Sequence, residues 1–460
     1  MYHWDWMASV SKNMATVRVP GMRGVRGIDA LKEPGVRIVS RWNQSNWASI
    51  VKELAPDFVR AATKADRLRL CELWQGQHSY QSWPVLLGCR AAPEYEPPCG
   101  NVGAVVQIAC ASIDLTGSPI IAGTIFDETR YFRIDHSVHP PEICHGKHVV
   151  RMGDVGIAMC TYPTAPGHFV PIQLPNVLLL HRNLPPGVPI IVADAPVTRR
   201  YLEPLIASGV APPGRFLFRE LKSDGTILQA ASVFTVINSH FTNVVNGEVG
   251  YKVARAAYSP NGPVPPAQRT AIVLIDRGQG KSRSMANLPE VRAALEAAAA
   301  LYSPRRGRSN ATRANAPLHV INWRPSRNVT ADIEVFRHAA LIVGPHGAGL
   351  ANMLFASEGT PVIEVCYDDV KGMLCPAMYA AMGATLHMPY WVITGSGSYS
   401  SPMTANLSQL ETAVGQALEA RSVRSSPRHA GPLDGGKGGS PASLVRRVQR
   451  QARCHQHVST

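Results

Sequence analysis

One histidine between two apolar runs, followed at once by two glycines, is the first place in this chain where chemistry is legible. Residues 340 to 366 read ALIVGPHGAGLANMLFASEGTPVIEVC. The run Leu341-Ile342-Val343 stops at Gly344-Pro345, and a second run, Pro361 to Val365, follows after a helix-length interval. The pattern predicts strand, turn, helix from Leu350 to Ala356, strand. Gly347 and Gly349 fall in the turn, where a missing Cβ lets backbone N–H groups approach a ligand at a helix N-terminus. Such a place suits a phosphate. Glycines alone would serve equally for tight strand-to-helix packing, but His346 adds a donor that a purely structural turn does not need.

Two familiar phosphate motifs are excluded. In a dinucleotide fingerprint Asn352 would have to be the third glycine, and the turn would have to follow the first strand of its unit, not a late one. Gly280-Lys281-Ser282 looks like the end of a Walker A loop, yet the required earlier glycine is Ile275. Arginines offer another way to hold a diphosphate. Arg277 closes the apolar run that begins at Thr270, with Arg283 and Asn287 shortly after it. Taken singly, each arginine reads as a solvated loop charge; their convergence with His346 at one sheet edge argues for anion binding.

Elements that would position these residues follow from the periodicity. Residues 270 to 277 predict a strand, 289 to 302 a helix, 318 to 323 a strand and 332 to 340 a helix. After the turn, 373 to 382 predict a helix, 385 to 393 a strand and 407 to 420 a helix. Repeated βα units of this kind build a doubly wound parallel sheet, whose ligands lie at the carboxyl ends of the strands. Arg277, His346 and Glu364 all fall near such ends. Upstream, Gly167-His168-Phe169 leads into an apolar segment, residues 188 to 194 predict a buried strand, and 199 to 208 a short helix ending at Gly209. Residues 103 to 132 suggest strands, and 57 to 74 a single amphipathic helix. The proline cluster from Asn261 to Pro266 reads as a linker. The domains expected are therefore a poorly defined region 1–100, an α/β domain 101–262, a Rossmann-like domain 267–420 and a basic tail 421–460.

Composition sets bounds on function. At 460 residues, with 45% hydrophobic and 17% charged, the chain has ordinary globular content and room for two or three domains. Half of its +14 charge lies in the Gly/Ser/Pro-rich tail after residue 420, a composition that favours disorder, and another basic cluster spans Arg305 to Arg313. No nucleic-acid motif and no interleaving of aromatic with basic residues accompanies it. Nine cysteines, six of them between Cys71 and Cys160, form no zinc spacing, and disulfides and buried thiols are both open readings. Sequons at Asn43, Asn310, Asn328 and Asn406 fit a luminal protein, whereas no signal core or membrane-spanning run is visible, which leaves open whether the sequence lacks an anchor.

The residues His346-Gly347-Ala348-Gly349-Leu350-x-Asn352-Met353-x-Phe355, then Gly359 and Glu364-Val365, resemble the signature of glycosyltransferase family 61. This family includes xylosyl-, arabinosyl- and N-acetylglucosaminyltransferases. Asp276-Arg277, Arg283 and Asn287 resemble its strand-end arginine with an R-x-x-x-N segment, and Gly167 to Pro175 its N-terminal half. The resemblance implies two Rossmann-like domains facing each other across a cleft (GT-B type). It implies a UDP-sugar donor, a glycan or glycoprotein acceptor, and a Golgi or endoplasmic reticulum lumen setting. The nucleotide-sugar site would comprise Arg277, Arg283, Asn287, His346, Gly347, Ala348, Gly349, Leu350 and Glu364, the last either accepting from ribose hydroxyls or serving as a structural carboxylate. Sugar transfer must stabilise charge on the leaving diphosphate, and the chain contains no Asp-x-Asp, so arginines would do this with neither a metal nor a separate cofactor. His168 is the candidate base for an inverting displacement, with a satisfied core histidine as the other reading. The competing expectations are an inactive sugar-nucleotide or glycan binder and a nicotinamide-dependent oxidoreductase, the latter opposed by the failed fingerprint.

Overall fold

The computed structural model describes residues 23–26, 31–43, 59–75, 102–114, 124–126, 130–133, 148–158, 164–219, 226–238, 248–259, 262–303, 317–368 and 375–424. Most of the basic tail, the arginines 305 to 313 and Asn310 lie outside them.

Two sheets organise the chain into an α/β fold. The second is the simpler. Its strands Ala271–Ile275, Ala339–Pro345 and Val362–Asp368 carry apolar runs that are buried almost throughout, as a sheet covered on both faces requires. Side by side the order is His319–Trp323, Ala271–Ile275, Ala339–Pro345, Val362–Asp368, Tyr390–Ser396 and Thr404–Ala405. All these pairings are parallel except the last. From Ala271–Ile275 the chain steps to one side to form His319–Trp323, then crosses back to form Ala339–Pro345 on the other. The order reverses there, so the loops after Ala271–Ile275 and Ala339–Pro345 diverge and leave a crevice. Those loops carry Arg277 and His346.

The first sheet is ten-stranded and mixed. Thr226–Asn238 pairs parallel with His148–Ile157 and antiparallel with Val102–Ala109 and Ser112–Asp114. Ile190–Ala193 continues the sheet in parallel between His148–Ile157 and Phe216–Arg219. The helix Pro196–Ala207 ends at Gly209, whose φ of +75° is the left-handed cap that glycine supplies without strain.

Several sequence expectations need correction. Residues 57 to 74 do not form one helix: Val59–Ala61 pairs with Tyr390–Val392 at the edge of the second sheet, and the helix is Lys64–Gln75. Thr63 Oγ1 accepts from the Asp66 N–H at 3.1 Å and so starts the helix late. Local periodicity could not show that a sheet edge more than 300 residues away offers Val59–Ala61 a partner. The glycine turn leads into a 3₁₀ helix, Ala348–Phe355, and not an α-helix. Downstream, the helix is Met378–Thr385 and the strand Tyr390–Ser396, because His387, at φ +53°, breaks the chain between them. The expected linker has no helix or strand from Gly262 to Pro265, but it is fastened: the Val264 N–H donates to Ser357 Oγ at 3.0 Å, and Arg269 Nε donates to the Val264 carbonyl at 2.8 Å.

Polar contacts join the helix Pro196–Ala207 to the second sheet. Arg200 pairs with the buried Asp332, which also accepts from Trp323 Nε1 at 3.1 Å. Tyr201 donates to Asn352 Oδ1 at 2.9 Å, and Asn352 Nδ2 donates to the Gly349 carbonyl at 3.1 Å. The first half of the chain thus grips the glycine turn of the second.

Candidate functional site

The turn that begins the 3₁₀ helix is shaped by two missing methyl groups. Gly347 sits at φ +147°, ψ −176°, a conformation open essentially to glycine alone. A Cβ there would lie 2.1 Å from Arg277 Nη1 and 3.6 Å from Arg283 Nη1. A Cβ on Gly349 would lie 2.5 Å from Ile275 Cγ2. Gly349 therefore lets the 3₁₀ helix pack on the neighbouring strand, and Gly347 makes room for two guanidinium groups against the backbone.

Both arginines reach this point from the loop after Ala271–Ile275. Arg277 Nε donates to the Ser282 carbonyl at 3.1 Å. Arg283 sits at φ +59°, its N–H donating to the Ser401 carbonyl at 2.7 Å, and its guanidinium carbon lies 4.5 Å from the ring centre of Tyr399. Among the described residues neither arginine has a carboxylate within ion-pair distance, and Arg283 Nε is buried without a hydrogen-bond partner. Asp276, the nearest acid in the sequence, is committed elsewhere: one oxygen accepts from the Gly278 N–H at 2.7 Å and the other pairs with Arg324. Burial, and next the charge of Arg283, make protonated Arg277 less favoured than an ordinary arginine. Two adjacent cations without a carboxylate form a site that an anion would stabilise.

Glu364 and His346 lie deeper than the sequence suggests. Glu364 is fully buried in mid-strand, with Oε1 2.6 Å from His346 Nδ1 and Oε2 accepting from the Tyr390 hydroxyl at 2.8 Å. Each carboxylate oxygen already holds a partner and the side chain is buried, which fits the structural alternative. His346 is 3% exposed, packs edge-on to the Tyr367 ring and at a tilt to the Tyr379 ring, and has its Nδ1 side fixed by Glu364. The Tyr379 hydroxyl is buried and its pKa is raised, first by that burial and next by the Glu364 charge, which keeps it a proton donor. Asn287 spends both ends of its amide on the Ala405 backbone, at 3.0 and 2.9 Å, and Leu350 is buried core. These two residues support the loop and the turn.

His168 arrives from the other sheet. It ends the short turn Pro166–His168, just before a π-helical stretch Phe169–Gln173 that runs into the helix Leu174–Asn183. A Cβ on Gly167 would be 3.4 Å from Ala348 Cβ and 3.2 Å from the Tyr379 hydroxyl, so this segment lies directly against the glycine turn. Burial lowers the His168 pKa below its ordinary 6.5, leaving the ring neutral and able to accept a proton at pH 7.

Among the described residues the one candidate metal cluster is His346, Glu364 and Cys375, with ligand atoms within 4.8 Å of one another. Cys375 is joined to Cys366 in a disulfide and offers no thiolate, and the Glu364 oxygens are already shared between His346 and Tyr390.

Residues 158–363 match the family model for Glycosyltransferase 61. The match supports membership of glycosyltransferase family 61 and, with it, glycosyltransferase activity. The matched part of the chain begins as the strand His148–Ile157 ends, includes His168, Arg277, Arg283, Asn287 and the turn from His346 to Leu350, and stops one residue before Glu364. A search of curated proteins returned no match. Sequence reasoning missed Tyr379, Tyr390 and Tyr399, which complete the surroundings of His346 and Arg283. Lone tyrosines follow no catalytic spacing, and only the fold brings Tyr379 to His346, Tyr390 to Glu364 and Tyr399 to Arg283.

Proposed function

We propose that this chain transfers xylose, arabinose or N-acetylglucosamine from a UDP-sugar to a glycan or glycoprotein, with inversion and without a metal. The observation that carries the reading is the pair Arg277 and Arg283, held without carboxylate partners among the described residues, against Gly347 at the switch point of a parallel sheet. The diphosphate would sit on these guanidinium groups and on the backbone of the turn, with Tyr379 as a neighbouring donor. In the displacement the acceptor hydroxyl oxygen bonds to the anomeric carbon, the bond from that carbon to the diphosphate oxygen breaks, and the hydroxyl proton passes to His168. Negative charge then appears on UDP, where the two arginines stabilise it more in the transition state than in the ground state.

On this reading the chain is organised as two α/β domains of the GT-B type, one of residues 101–262 supplying His168 on the acceptor side and one of 267–420 binding the donor. The contact of Gly167 with Ala348 supports that arrangement. The Cys366–Cys375 disulfide supports a Golgi or endoplasmic reticulum lumen, since cytosolic thiols are kept reduced. So does the exposure of Asn328 and Asn406, two of the sequon asparagines. Among the described residues no helix is long and apolar enough to cross a membrane.

The test is calorimetry with UDP and NADH, followed by UDP release from UDP-sugars with and without glycan acceptors. Preference for UDP and acceptor-dependent release are expected. Preference for NADH would overturn the donor assignment, and UDP binding with no release for any acceptor would make this chain a non-catalytic binder.

A further inference from the structure

Beyond its contact with the Arg283 guanidinium, Tyr399 is held in place by its own loop. It lies in the loop that follows Tyr390–Ser396, at the same carboxyl edge of the sheet as the glycine turn. The loop is closely tied. Gly397 sits at φ +136°, where a Cβ would be 2.6 Å from the Pro402 carbonyl oxygen, so the chain doubles back tightly. The Ser398 N–H donates to Ser401 Oγ at 2.9 Å, and the two serine hydroxyls lie 3.0 Å apart. The loop is also stitched to the arginine loop: the Arg283 N–H donates to the Ser401 carbonyl, the Met403 N–H to the Ser284 carbonyl at 2.8 Å, and the Ala286 N–H to the Met403 carbonyl at 2.7 Å.

This framework fixes the Tyr399 ring in one pose. One face rests on the Arg283 guanidinium at 4.5 Å, and the ring stands edge-on to Tyr367 with centres 6.2 Å apart. The residue nevertheless stays 48% exposed. A lone exposed aromatic ordinarily needs no explanation. This one is stacked on a diphosphate-clamping arginine and held by a loop with no slack. A guanidinium on one face also draws π density from the ring, which makes the open face poor for a cation and suited to a flat, polar heteroaromatic ring. A diphosphate held by Arg277 and Arg283 places its nucleoside one ribose away.

We propose that the open face of Tyr399 stacks the pyrimidine of the donor nucleotide, a role that rests on reading the Arg277 and Arg283 turn as a UDP site. Tyr399 is then a specificity residue: it selects for a nucleoside attached to the diphosphate, whereas the arginines select for the diphosphate itself. Phenylalanine would serve nearly as well as tyrosine, since the contact uses the ring and not the hydroxyl.

Calorimetry on the whole chain with UDP and with inorganic pyrophosphate, for the wild type, Tyr399→Ala and Tyr399→Phe, tests this. Tyr399→Ala should weaken UDP about 5- to 150-fold, the range for removing one base-stacking aromatic. It should leave pyrophosphate within about twofold, and Tyr399→Phe should bind UDP within about twofold of wild type, on the same stacking argument. The exposed position makes an unchanged melting temperature the control for folding. Equal weakening of UDP and pyrophosphate would overturn the proposal, because Tyr399 would then be acting through Arg283. Unchanged UDP affinity in Tyr399→Ala would overturn it alone, and with a raised acceptor KM would assign the ring to the acceptor sugar. Wild-type protein that binds pyrophosphate but gains nothing from UDP would remove the nucleotide reading beneath it.

Discussion

A single methyl group added at Gly347 tests the site more sharply than removal of any charged residue. In Gly347→Ala the new Cβ falls 2.1 Å from Arg277 Nη1, inside any permitted contact, and the backbone is at φ +147°. Two consequences separate. The backbone term costs about 1 to 3 kcal/mol for a non-glycine residue in that region. In a domain of ~150–250 residues each kcal/mol shifts the melting temperature by about 2–4 °C, so the protein should stay folded with a melting temperature lowered by a few degrees to about ten. The second consequence is local: the blocking atom is the tip of a long side chain, which swings away and takes the guanidinium off the diphosphate. Losing such a contact removes about 2 to 4 kcal/mol of transition-state stabilisation, by analogy with an oxyanion donor. The fall in kcat/KM is then about 30- to 1000-fold. Arg277→Ala should give a similar loss without the melting shift, and Arg277→Lys should recover only part, since an ammonium cannot make the planar two-point contact. The decisive measurement is the double variant, assayed by UDP release. If the methyl acts by evicting Arg277, adding Gly347→Ala to Arg277→Ala should cost little further activity. Fully additive losses, or near-wild-type turnover in Gly347→Ala, would refute the assignment of the clamp to this turn.

Three other outcomes are expected. Burial holds the His168 pKa below 6.5, so the unfolded state takes up a proton before the folded state does; this residue's stabilising contribution is full above pH 6.5 and declines as pH falls towards the folded value. If His168 is the base, kcat should fall along an acid limb below pH 6.5, and His168→Gln should abolish that limb with a loss of about 10²- to 10⁴-fold; a variant that keeps both rate and limb would return His168 to a core role. Transfer should survive excess EDTA, and activity lost to EDTA and restored by manganese would mean that a metal, not the arginine pair, stabilises the leaving group. Closing a loop with a separation of 9 residues, the Cys366–Cys375 disulfide should contribute about 2–3 kcal/mol, so the reduced protein should melt several degrees lower, and peptide mapping that finds both thiols free would remove the basis for that shift.

Much of the second half of the chain was legible because its signals are local. Largely apolar runs such as Ala271–Ile275 and Leu341 to Val343 mark buried parallel strands, and His346, Gly347 and Gly349 stand within four residues at the end of one. Placing Arg277 and Arg283 at that turn needed only the rule that ligands gather at the carboxyl edge of such a sheet. The tertiary structure alone decided how each residue is used. Glu364 reads as a strand-end carboxylate, but only the register beside Gly344 and Val392, with Tyr390 in reach, shows that both its oxygens are already engaged. Asn287 matches the family spacing, yet it is bonded to the backbone of Ala405, 118 residues away. Val59–Ala61 became a strand because Tyr390–Val392 offered an edge, and Asn352, unremarkable as a failed third glycine, ties Tyr201 to Gly349. These are contacts between residues far apart in the chain, and periodicity carries no information about them. It records which face of an element is apolar, not which distant side chain will meet it.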